Sequence, residues 1–243
     1  MINNGKLKYL CVGLGAIFYL IWVELRYGWT IKESLDYFSL FFNLGLGLMI
    51  VTLLVKKSKV KTIYHFVLVI LFSAYFCELY GVTLGINFTF YSLTPYTGNY
   101  HIMFNYINWV PFKTIIHTFS SPLSTSTIIQ LLGNILLLTP LAFSLRYLEI
   151  IYTTKWTILT TFFTSISIEV LQLINTFIIS GFETDQGRST DIDDVILNTI
   201  GGVIGVLIFI GLKRFFIKNK KKSNYANGGV HGKLKFDEKS FQE

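Results

Sequence analysis

Thr161, Ser165, Glu169, Gln172 and Thr176 step by four, four, three and four through an otherwise apolar run. Steps of three and four put side chains on one face of a helix, so these five form a single polar stripe. Gln130 and Asn134 stand four apart in an earlier apolar run. Asp191, Asp194 and Asn198 step by three and four, and Gly201 and Gly205 follow them. This second stripe runs on into a G-x-x-x-G surface of the kind that lets helices approach closely. Carboxylates and amides in such runs are costly in hydrocarbon and ask for partners.

The chemistry open to these groups is bounded. A carboxyl at Glu169 in a medium of low dielectric favours its neutral form unless a cation holds it ionised. Arg188 is the one basic residue between the last two apolar runs, so it is the natural partner. Asp191, Asp193 and Asp194 could hold Arg188 instead, or offer oxygen ligands to a divalent cation. No His accompanies them, and neither a metal nor another cofactor is expected. No G-x-S-x-G turn, P-loop or dinucleotide fingerprint occurs. Glu169 with Asp191 or Asp194 remains open to paired acid–base work on a lipid-linked glycan. The plainer alternative is that both stripes are hydrogen-bonding glue between helices.

The elements that must carry these residues follow from composition. Of 243 residues, 52% are hydrophobic and only 14% charged, with a mean hydropathy of +0.53. A soluble domain carries about a quarter charged residues, so a soluble enzyme, a disordered chain and a coiled coil are all excluded. The apolar runs are continuous, unlike the alternating segments of about ten residues in a membrane barrel. An all-α bundle of six membrane spans is expected, near residues 7–25, 37–55, 63–80, 128–145, 156–179 and 195–212. The first has basic residues before its apolar core but ends in Ile21, Trp22 and Val23 rather than a small-residue cleavage site, and reads as an uncleaved anchor.

Charge gives the orientation. Lys56, Lys57, Lys59 and Lys61 follow the second span, Arg146 and Lys155 lie between the fourth and fifth, and nine of the last 31 residues are Lys or Arg. Of the alternate loops, that between spans three and four carries Lys113 alone, and that between spans five and six carries Arg188 against five acids. Both termini are therefore expected in the cytosol. The basic end reads as a cytoplasmic flank, so a lipid bilayer and not a nucleic acid is the expected partner. In that topology Glu169, about 20 Å along its helix from Trp156, falls in the outer half of the membrane together with Asn134 and Asn198. One shared outer site is expected, with the Gly201/Gly205 surface packing span six against span five.

Four parts follow: residues 1–80 with three spans, an aromatic outer loop over 81–126, a three-span core over 127–212, and a basic tail over 213–243, disordered beyond Ser223. Within the outer loop, residues 101–117 are expected either as an interfacial or re-entrant segment or as part of a folded loop with a small core of its own. The two cysteines, Cys11 and Cys77, are too few for a disulfide framework.

Four blocks carry a resemblance. Residues 108–115 read N-W-V-P-F-K-T-I, residues 132–141 read L-G-N-I-L-L-L-T-P-L, residues 167–172 read S-I-E-V-L-Q, and residues 188–202 read R-S-T-D-I-D-D-V-I-L-N-T-I-G-G. In that order they resemble the VanZ-like membrane proteins, with Ala142 standing where the family has a glycine. The resemblance adds Asn108, Pro111 and Phe112 to the site candidates. It implies a multi-pass protein of the cytoplasmic membrane of a Gram-positive cell, associated with resistance to teicoplanin and acting where glycopeptides meet lipid-linked cell-wall precursors. It implies no established reaction. An enzyme that modifies such a lipid-linked or surface glycan is the alternative, and a transporter ranks last, since the cytoplasmic halves of spans four to six are mostly apolar.

Overall fold

The computed structural model describes residues 4–28, 33–98, 100, 104, 107–120, 125–182 and 189–227. Its elements run α1 (Asn4–Tyr27), α2 (Ser34–Lys56), α3 (Ile63–Leu84), α4 (Phe88–Leu93), β1 (Ile107–Asn108), α5 (Lys113–Ser120), α6 (Thr125–Leu137), α7 (Thr139–Tyr147), α8 (Thr154–Ser180), β2 (Thr190–Asp191) and α9 (Ile192–Asn227). Six helical stretches are long and apolar enough to cross a membrane: Gly5–Arg26, Ser34–Lys56, Ile63–Leu93, Thr127–Tyr147, Thr154–Ser180 and Ile192–Asn219. These are the six expected spans. Large apolar side chains such as Leu10, Phe41, Leu53 and Phe163 stand more than half exposed along them, as helices do when hydrocarbon is the solvent.

The first three spans pack as a unit around Ala16, Tyr19, Val23, Leu44 and Cys77. A Cβ at Gly15 would come within 2.6 Å of the Ile70 carbonyl oxygen, so α1 lies directly on α3. Cys11 and Cys77 are buried free thiols. A larger core of Val51, Val69, Phe72, Leu138, Leu141, Leu145 and Ile168 joins α2 and α3 to α7 and α8.

The fourth span is broken in two. Pro140 lacks an N–H and cannot continue the α6 ladder, so the helix stops at Leu137 and restarts at Thr139. In hydrocarbon the freed carbonyls need other donors. The Thr139 hydroxyl donates to the carbonyl of Ile135 at 2.9 Å, and the Tyr75 hydroxyl of α3 donates to that of Leu137. Thr139 is also within 2.9 Å of the Gly201 carbonyl oxygen of α9.

That last contact marks a correction. A Cβ at Gly201 would overlap the Ile135 carbonyl oxygen, and one at Gly205 would overlap that of Thr139 and reach within 3.0 Å of the Ala142 Cβ. The G-x-x-x-G face of span six therefore packs on span four, not on span five. Helical spacing defines a face but not the neighbour that meets it. Gly202, one residue round the helix, meets span five, where its Cβ would lie 2.8 Å from that of Thr161.

Between spans three and four the aromatics form a packed cluster at the end of α8. Phe90, Tyr91 and Tyr96 set their rings edge-on to Phe182, and Tyr100 stacks on Phe177 with centroids 4.7 Å apart. The amides of Thr97 and Gly98 both donate to the Gly181 carbonyl at 2.9 Å. This cluster precedes residues 101–117 and packs on α8 rather than around a core of its own, and His101 lies outside the described residues. Helix α9 continues through Ser223 to Asn227, past the point where order was expected to end, and no Gly or Pro interrupts residues 213–227.

Candidate functional site

The start of α9 assembles the site, and it sorts three neighbouring carboxylates into two different environments. β1 and β2 pair in parallel, with Ile107 opposite Thr190 and Asn108 opposite Asp191. This short ladder brings residues 107–115 to the N-terminus of α9, where unpaired N–H groups favour carboxylates.

Asp191 caps α9. Its Oδ1 accepts from the Asp193 amide at 2.9 Å and from Asn108 Nδ2 at 2.9 Å, and its Oδ2 accepts from the Thr114 hydroxyl at 2.5 Å. Asp193 caps a different helix, α5. Its Oδ1 accepts from the Phe112 amide, and its Oδ2 accepts from the amides of Thr114 at 2.8 Å and Ile115 at 3.1 Å. Phe112 occupies the residue before α5 with φ +64°, a left-handed conformation that a bulky residue rarely takes. That turn aims successive amides at one point, which makes an anion-binding nest, and Asp193 fills it. Both carboxylates are buried, Asp193 completely. Asn108 and Phe112 thus serve to dock the loop, and Pro111 lies exposed in the turn before α5.

Asp194, one position along the helix, points elsewhere. It accepts a hydrogen bond from Asn134 Nδ2 of α6. Asp194 and Asn134 line a cavity of about 410 Å³ together with Gln130, Glu169, Gln172, Asn198 and the two unforeseen residues Thr83 and Ser189. Glu169 is 6% exposed, and its Oε2 accepts from the Asp191 amide at 3.0 Å, linking cavity to cap. Gln172 Nε2 donates to the Thr83 carbonyl at 3.2 Å, which ties α8 to the end of α3. Asn198 is 1% exposed, and its buried Oδ1 has no hydrogen-bond donor among the described residues. Such an acceptor is uncommon in a folded interior.

Six of the expected residues therefore converge: Gln130, Asn134, Glu169, Gln172, Asp194 and Asn198. Asn108, Phe112, Asp191 and Asp193 form the neighbouring docking cluster, and Arg188 lies outside the described residues. Asp191, Asp193 and Asp194 do not face a common point, and among the described residues no group of three His, Cys, Asp or Glu side chains is placed to hold a metal. Thr83 and Thr114 had no local signal: Thr83 is one hydroxyl at the end of an apolar span, and Thr114 acts across 77 residues of sequence.

The carboxylates and amides of the cavity can bind a polar group by several hydrogen bonds while the surrounding helices exclude water. A family model described as VanZ/LLP1 matches residues 79–216. The matched segment takes in the end of α3 with Thr83, as well as every residue of the cavity and the docking cluster. No curated relative and no solved structure matches the chain.

Proposed function

The chain belongs to the VanZ/LLP1 family, and on that premise we propose that it lowers susceptibility to glycopeptide and lipoglycopeptide antibiotics of the teicoplanin type. It acts from the outer face of the cytoplasmic membrane of a Gram-positive cell, by binding or masking a component there. Both termini lie in the cytosol in this reading, the orientation that the loop Lys and Arg residues favour. The observation that carries the reading is the convergence of Gln130, Asn134, Glu169, Gln172, Asp194 and Asn198, from three spans, on one cavity.

The test is expression of the full chain in a susceptible Gram-positive host lacking it. Raised tolerance to teicoplanin relative to empty vector supports the reading, and unchanged tolerance at verified membrane expression contradicts it. A reporter fused after Lys222 should be active only in the cytosol.

One observation favours a second reading. Glu169 and Asp194 place two carboxyl groups on the wall of the same cavity, which is the minimum for acid–base catalysis on a lipid-linked glycan. Mass spectrometry of lipid-linked precursors with and without the protein separates the two, because a changed covalent structure selects the enzyme.

A further inference from the structure

Thr83 and Ile168, both buried, line the polar cavity and also line a second cavity of about 500 Å³. The two spaces therefore adjoin at these two side chains. The second is a groove among α2, α3, α7 and α8, walled by residues such as Ile50, Leu79, Leu141, Phe163 and Leu171. Phe163 and Leu171 are 56% and 45% exposed, so the groove opens along helix faces that meet hydrocarbon. Its size falls within the roughly 300–1,000 Å³ of small-molecule sites.

The two spaces differ in what they can hold. An apolar groove between membrane spans takes hydrocarbon in preference to water. The polar cavity presents the side-chain amides of Gln130, Asn134, Gln172 and Asn198, and amides both donate and accept as hydroxyl-rich groups do. A single molecule with a hydrocarbon chain and a sugar-like head satisfies both spaces at once. We infer that the groove and the cavity together form the site of one membrane glycolipid, which enters sideways from the bilayer. Its chain lies along α3 and α8, and its head reaches the amides of the polar cavity past Thr83 and Ile168. The inference rests on the proposed reading of the cavity as the functional site and names the class of ligand.

The test uses the full chain in lipid nanodiscs and two probes: dodecyl maltoside carrying a diazirine on its alkyl chain, and dodecanol carrying the same group. Cross-links are mapped by peptide mass spectrometry. The maltoside should label groove residues saturably, and unlabelled dodecyl maltoside should compete. Leu171→Trp, a change at a half-exposed rim position, should fill the groove and cut that labelling at least fivefold. Leu53→Trp, on an exposed face of α2 outside the groove, should leave it unchanged. Asn198→Leu should weaken maltoside labelling by about three- to tenfold, the range for one lost hydrogen bond, and leave dodecanol labelling unchanged. Labelling that never saturates, that is equal in both Trp variants, or that ignores Asn198 would overturn the inference, since bulk lipid then fills the groove. Teicoplanin tolerance of the same variants separates the two claims. Tolerance that depends on Asn198 without site-specific labelling leaves the proposed function standing and removes the glycolipid. Saturable labelling in a chain that confers no tolerance does the reverse.

Discussion

Asp193 and Asp194 are adjacent in sequence and opposite in circumstance. Asp193 is completely buried and accepts three backbone N–H bonds, so its carboxylate is saturated by the protein and holds α5 against α9. Asp194 faces a cavity shared with Asn198, whose amide oxygen has no donor among the described residues. The docking cluster is a closed network in which every named carboxylate oxygen has work within the fold. The cavity is an open one. An acidic run at a helix start is thus not one site, because consecutive residues of a helix point about 100° apart.

The contrast can be broken by substitution, and the largest effect is expected on the closed side. Asp193→Ala strands the amides of Phe112, Thr114 and Ile115 and leaves the left-handed turn at Phe112 unsupported, a loss of about 4 kcal/mol at about 1–3 kcal/mol per unsatisfied buried group. Thermal unfolding of the purified protein in detergent should show it, and an unchanged transition would mean that the nest is not structural. Gly201→Ala comes next. Its Cβ overlaps the Ile135 carbonyl oxygen, and overpacking against backbone in the seam beneath both regions should cost about 3 kcal/mol. The same change at Gly211, where a Cβ meets nothing, should be silent in that assay. Asp191→Asn keeps the shape but gives up one carboxylate acceptor, so about 2 kcal/mol is expected, again read from unfolding. The smallest effect on stability belongs to the open side. Asn198→Leu removes an acceptor that no described protein group uses, so stability should stay within about 1 kcal/mol of wild type or rise.

Much of this arrangement is readable from spacing. Six spans follow from length and hydropathy, and the pairs Gln130/Asn134, Glu169/Gln172 and Asp194/Asn198 each share a helix face that the fold turns into one cavity. What was not readable depends on contacts between distant elements. Nothing local announces that Asn108 will pair with Asp191 across 83 residues, or that Asp193 will cap a helix 80 positions earlier. The Gly201/Gly205 face was visible, yet its partner was not, because the break at Pro140 brings the α6–α7 junction rather than α8 against it. Thr83 contributes a carbonyl oxygen, a group every residue has, so its role cannot show in residue type.

The most direct measurement is teicoplanin tolerance conferred by Asn198→Leu in cells whose membranes hold the variant at wild-type level. If the cavity is the working site and the neighbouring cluster its support, tolerance falls to that of empty vector while the unfolding transition stays where wild type has it. Full tolerance in that variant would contradict the assignment and leave the polar residues of spans four to six as hydrogen-bonding glue between helices.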